Sequence, residues 1–231
     1  MKFLSTLFLF FIIFTSQAQQ KDASFYIKEL NAKFAKVNDY KADVFMKFDL
    51  PGVNISNLSG KVFYKKPDKF KIKAKGIFVL PKQNPMQTII SMLKNPSSYT
   101  AVISEYETIA KNTYAVLNII PLSNGEELDI VIGKLWVNTA NPLIMKSEIT
   151  TRNNGTISTF NTYGTFAAYA LPDKMTMKVD MKKFKLPRLL SGDLNKKSTK
   201  NNTTATNTKG TINLNFSNYK LNTKFADTEM K

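Results

Sequence analysis

Ser91 and Lys94 stand one helical turn apart in the string Ser91-Met92-Leu93-Lys94. At that spacing a lysine amine can draw the proton from a serine hydroxyl, the opening step of one class of acyl transfer. The chemistry also needs S-D-N and K-T-G strings. The chain has neither, and Lys209-Gly210-Thr211 carries the second set of residue types in another order. Glu126 and Glu127 are adjacent, so on a strand their carboxylates would face opposite ways; the pair reads as part of a turn. The 231 residues include no cysteine and no histidine. Thiolate nucleophiles, disulfides, zinc knuckles, Ser-His-Asp triads and imidazole metal sites are therefore excluded. A phosphate-cradling glycine loop, a G-x-S-x-G elbow and calcium-loop spacing are absent too. The expectation is a binding module with no catalytic residue, no metal and no cofactor.

The segment ahead of any such module has its own logic. Met1-Lys2 opens with positive charge, and Phe3 to Phe14 is apolar except for Ser5 and Thr6. Small residues, Ser16 and Ala18, then occupy the −3 and −1 positions of a cleavage site. This is the layout of a secretory signal peptide over residues 1–18, and it is shorter than the roughly 20 apolar residues of a membrane span. The mature chain, 19–231, is expected to be one soluble domain in the periplasm, with no lipid anchor because no cysteine follows the cleavage point. Lys and Arg number 33 against 17 Asp and Glu, a formal net charge of +16. An exported chain seldom meets nucleic acid. The charge fits transient contact with an anionic membrane surface, and equally a solubilising lysine-rich exterior.

The elements that would position a binding site follow from periodicity. Ile27, Leu30, Phe34 and Val37 recur at spacings of three and four, one face of a helix over Asp22–Asn38, with Asp22 or Ser24 as its cap. Met86, Ile89, Ile90 and Leu93 repeat the pattern between Pro85 and Pro96, with Lys94 the sole charge. So apolar a helix fits a lid over an apolar space or an ordinary helix packed on a sheet. Elsewhere the period is two. Tyr40, Ala42, Val44, Met46 and Phe48 alternate with Lys41, Asp43, Phe45, Lys47 and Asp49; Phe70, Ile72 and Ala74 alternate with Lys69, Lys71, Lys73 and Lys75. Further strands are expected at 99–108, 113–120, 128–137, 143–151, 156–163, 174–183 and 211–216, and the polar stretch 195–210 reads as a flexible loop.

Many antiparallel strands with one apolar face and two short helices predict a mainly β, α+β fold. Its sheet is strongly curved into an incomplete barrel, with an N-terminal helix and a short lid helix over an apolar cavity. In-facing Val44, Met46, Phe48, Val62, Tyr64, Phe70, Ile72, Met175, Met177 and Val179 are the candidate lining, rich in adaptable Met and aromatic side chains. Met86, Ile89, Ile90 and Leu93 are the candidate lid.

Several strings carry a resemblance. Tyr40-Lys41-Ala42-Asp43-Val44-Phe45 follows the first helix, and Gly60-Lys61-Val62-Phe63-Tyr64-Lys65-Lys66-Pro67-Asp68-Lys69-Phe70-Lys71-Ile72 follows that. Leu135-Trp136-Val137-Asn138, Pro142-Leu143-Ile144-Met145 and Asn215-Phe216-Ser217-Asn218-Tyr219 come later. Together they resemble the outer-membrane lipoprotein carrier (LolA-like) family. The resemblance implies a monomeric half-barrel chaperone. It would take the acyl chains of lipoproteins, or another lipid, from an inner-membrane releasing transporter and pass them to an outer-membrane acceptor. It also implies a latch at Lys66, where the family places an arginine; lysine brings a point charge in place of a planar fork. The stretch between Ile72 and the second helix is shorter than the family's usual pair of strands. The alternative on the same fold is a periplasmic sensor that binds a regulatory protein or another lipid.

Overall fold

The computed structural model describes residues 21–51, 55–74, 85–122, 130–152, 155–180 and 209–230. The signal segment 1–18, the Glu126-Glu127 pair and most of the expected loop 195–210 lie outside them. Lys209 and Gly210, assigned to that loop from their polar context, instead begin a strand, because they pair with Asp180 and Val179.

Helix α1 (Ala23–Ala35) starts where Asp22 accepts a hydrogen bond from the Phe25 N–H at 2.9 Å, the expected cap. It buries Ala23, Tyr26, Ile27 and Leu30, and Val37 is buried just beyond its end. Among the described residues ten strands follow: β1 (Asp39–Asp49), β2 (Leu58–Lys65), β3 (Lys69–Ala74), β4 (Tyr99–Ile109), β5 (Asn112–Pro121), β6 (Ile130–Asn138), β7 (Ile144–Thr151), β8 (Gly155–Thr162), β9 (Lys174–Asp180) and β10 (Lys209–Leu221). Helix α2 (Pro85–Leu93) falls between β3 and β4. All strands join one antiparallel sheet in the order β3-β2-β1-β10-β9-β8-β7-β6-β5-β4. The two ends, β3 and β4, do not pair with each other, so the barrel is incomplete.

The apolar face divides into two clusters. The first joins α1 and α2 to β4–β7 through Tyr26, Leu30, Ile89, Leu93, Leu117 and Leu135. The second contains strand residues and their flanks, among them Val44, Met46, Val62, Ile157, Met177 and Ile212, and no described helix residue. Helix α2 seats on the first half where β6 carries Gly133. A Cβ there would lie 2.7 Å from Ile89 Cδ1, so the missing side chain is what admits the helix.

The opposite face is polar, with local aromatic cover. Lys146 lies over the Trp136 ring at 3.7 Å. Phe225, from the segment after β10, packs on Phe63 with ring centroids 5.8 Å apart. That segment is anchored by the buried Asp39 carboxylate, which accepts from the Thr223 and Lys224 N–H groups at 2.8 and 3.0 Å.

Candidate functional site, an apolar cavity at the helix seam

Where α1 and α2 end, the helical cover meets the second half of the sheet, and a cavity of about 110 Å³ opens. Phe34 of α1 and Val37 just beyond it border the cavity, as do Ile90 of α2 and Lys94 directly after that helix. Tyr40, Tyr64, Phe70 and Ile72 come from β1–β3, and Met175, Met177, Leu214, Phe216 and Tyr219 from β9 and β10. The turn Tyr169–Pro172 closes the remaining side. A dry apolar cavity of about 150 Å³ takes a molecule the size of benzene. As it stands, then, the space holds a short apolar segment, and a long acyl chain requires it to widen.

Of the ten residues expected from alternation to line a cavity, Tyr64, Phe70, Ile72, Met175 and Met177 do so. Val44, Met46, Val62 and Val179 lie in the second cluster, with Phe48 packed against it. These five lie outside the cavity wall. Of the expected lid, Ile90 borders the cavity, whereas Ile89 and Leu93 are buried in the first cluster. Met86 is in α2, and its side chain is outside the description.

Tyr219 reaches the cavity because of a bulge. Asp43 pairs with Ser217 and Lys41 with Lys220, so Asn218 and Tyr219 together oppose the single residue Ala42. Asn218 takes the left-handed conformation this requires (φ 52) and donates to Asp43 at 2.8 Å. Tyr219 then sits 5.7 Å from Tyr40 and 4.9 Å from Phe166, ring centroid to centroid, and its hydroxyl donates to the Pro172 carbonyl at 2.8 Å. Tyr40 in turn stacks on Tyr64 at 5.4 Å. Burial pushes the Tyr40, Tyr64 and Tyr219 hydroxyls up from the ordinary phenol range, so this wall is neutral at every physiological pH.

Two lysines tie the helices to the turn between β2 and β3. Lys66 donates to the Ala35 carbonyl at 2.8 Å and to Asn38 Oδ1 at 2.9 Å, so it caps the end of α1. Lys94 approaches the Pro67 carbonyl at 3.4 Å and the Tyr64 hydroxyl at 3.5 Å from the end of α2. The helices are joined to each other by Asn31, whose side-chain N–H donates to the Leu93 carbonyl at 2.7 Å. The expected latch residue therefore engages α1, while Lys94 of the S-x-x-K string reaches toward the same turn from α2.

A larger hollow, about 530 Å³, lies on the polar face, and its lining includes Lys41, Lys61, Lys220, Asp43 and Glu229. Ion pairs such as Lys41–Glu229 at 2.7 Å cross it, so it suits water and not an apolar guest. Among the described residues, no group of three or more acidic side chains is placed to hold a metal ion. No described helix is long and apolar enough to cross a membrane.

No protein-family model and no curated protein matches the chain. Solved structures do. A LolA superfamily protein from Nitrosomonas europaea superposes with a TM-score of 0.59 at 11% identity, over 91% of this chain and 98% of that one. The fold is LolA-like. A DUF1329 family protein from Desulfovibrio piger gives 0.55 at 10% identity, covering 90% and 96%. A putative outer membrane lipoprotein-sorting protein domain from Vibrio parahaemolyticus gives 0.51 at 12%, covering 89% and 94%. The matches cover about nine-tenths of this chain, and at these identities they speak to the LolA-like fold alone.

Proposed function

We propose that this chain is an exported, soluble, monomeric carrier. It takes acyl chains of lipoproteins or lipids into the seam cavity and carries them between the inner and outer membranes. The observation that supports the reading is the cavity's placement. Its walls are mainly apolar, and one side is the end of a helix cover held on the sheet by side-chain packing and a few hydrogen bonds. Moving an acyl chain through water costs about 0.8 kcal/mol per methylene, so a carrier must supply a dry compartment and still release its load. Met175 and Met177 on one wall and the tyrosine cluster on another suit many weak, adaptable contacts. Widening to admit a chain involves α2, with Ile90 as the lid residue that faces the guest. The LolA-like fold and the candidate signal segment both agree with a periplasmic site of action.

The test is uptake of 1-dodecanol by the folded protein, with native mass spectrometry of gently extracted protein to find a co-purifying lipid or lipidated protein. Ile90→Asp is expected to lower uptake tenfold or more while the chain still folds, because the substitution puts a charge into the apolar wall. Absence of both uptake and co-purifying lipid overturns the carrier. Loss of folding equal to loss of uptake shows Ile90 to be packed core.

A further inference from the structure

We propose that the guest is an anionic amphiphile, an acyl chain bearing a carboxylate or phosphate-ester head, with Lys94 holding that head at the cavity mouth. The inference rests on the acyl-chain reading above and names the class of guest. Among the described lining residues Lys94 alone carries charge. It stands directly after α2, with Ile90 one turn earlier on the same wall and the Tyr64 ring opposite. A chain laid against Ile90, Ile72 and Phe70 therefore brings its head to the Lys94 ammonium.

Lys94 is an exposed residue, so water reaches its ammonium, and its contacts with the protein are long. Its contacts to the Pro67 carbonyl and the Tyr64 hydroxyl are 3.4 and 3.5 Å, at the long limit of hydrogen bonding, and an ammonium has three N–H donors. The groups around it leave net positive charge. Lys66 on the adjoining turn adds a second cation, and Asp68 is the one carboxylate acting on Lys94. Burial and the Lys66 charge hold the Lys94 amine below the ordinary lysine range, with Asp68 opposing. An anionic head would supply the partner that the two long contacts do not, and the Tyr64 hydroxyl can donate to it as well. On this reading the S-x-x-K string owes its lysine to ligand recognition and not to activation of Ser91.

Calorimetric titration of the full chain below the micelle limit separates the outcomes, using dodecanoate, dodecyl phosphate, 1-dodecanol and inorganic phosphate. The wild type is expected to bind both acids about tenfold more tightly than the alcohol, the scale of one hydrogen-bonded charge pair. Lys94→Met should remove that preference, lowering affinity for the acids far more than for dodecanol; Lys94→Arg should keep it. Equal affinity of acid and alcohol in the wild type overturns the head-group assignment and leaves the carrier standing. An equal loss of both in Lys94→Met also overturns it, and makes Lys94 a fastener of α2. Tight binding of inorganic phosphate alone replaces the amphiphile with a phosphate site. Binding of no alkyl compound overturns the carrier and this inference together.

Discussion

The two halves of the sheet use the same alternation for different ends. Over β4–β7 the in-facing residues are mainly Leu, Ile, Val and Ala, with Tyr99 of β4, and they meet the fully buried Leu30, Ile89 and Leu93 of the helices. Over β1–β3, β9 and β10 the wall at the seam is Met and aromatic, with several members only half-buried. Branched aliphatics in fixed rotamers make a dense core, whereas Met has three rotatable bonds and fills irregular space. The first half holds the fold and the second, at its seam with the helices, holds room. A fold that keeps a cavity needs both, because the cavity lowers the stability that the rest of the core must supply.

That contrast is broken most directly by equal truncations. Leu135 of β6 is fully buried in the first cluster, and Met175 borders the cavity. Leu135→Ala is expected to cost about 2–5 kcal/mol, since it removes packed methyl groups and leaves a void. Met175→Ala should cost about 1 kcal/mol or less, because the space it borders is already there. Chemical denaturation of the two variants decides; equal losses would mean that the halves are packed alike.

Glycines sharpen the same comparison. At Gly133, in the first half, an added Cβ meets the mobile end of Ile89 at 2.7 Å. At Gly60, in the second, it would meet the Lys73 backbone carbonyl at 2.4 Å. A side-chain tip can rotate away, and a strand carbonyl held in a ladder cannot. Gly60→Ala is therefore expected to cost about 1–3 kcal/mol and Gly133→Ala less, both read from denaturation midpoints. A larger loss at Gly133 would show α2 to be the more tightly held partner, and would count against its moving to admit a guest.

Much of this architecture was legible from residue pattern. Period-two runs in β1, β3 and β9 and the spacing of Ile27, Leu30 and Phe34 follow from which faces must be buried. Alternation tells which face a side chain takes, however, and not where along the strand a cavity lies. Val44 and Met46 share the face of Tyr40, yet they pack in the sheet's own cluster while Tyr40 lies at the seam. That difference is set by where α1 and α2 stop, a tertiary fact. The bulge that turns Tyr219 inward leaves a trace only in Asn218, an acceptable residue for the left-handed region, and Pro172-Asp173 marks a turn without showing that Tyr169–Pro172 closes a cavity. Gly133 carries a readable signal, since a lone glycine within a strand pattern marks close approach of another element. Resemblance alone points to a latch at Lys66, and its contacts with the end of α1 come from the path of the chain.

The smallest effect concerns the outer surface of the second half. There Asp227 pairs with Lys65 at 2.5 Å and with Lys69 at 2.6 Å, holding the segment after β10 against β2 and β3. The hydrogen bonds from Lys65 and then Lys69 are the main reasons that the Asp227 carboxyl is lowered to about 2. A carboxyl lowered in the folded state binds its proton less readily there than in the unfolded chain, where it titrates near about 3.9. Its contribution is thus fully present above that value and is lost as pH falls through about 2. The group is fully exposed, so salt should weaken the contact at neutral pH as well. Carbon-detected NMR of the Asp227 carboxyl should show a midpoint near 2 in the wild type and a return toward the ordinary range in Lys65→Ala. Amides of Thr223 and Lys224 should exchange faster as the pairing is lost, with those of β5 and β6 unchanged over the same interval. A midpoint in the ordinary carboxylate range in the wild type would show that the pairing does not hold this segment in solution.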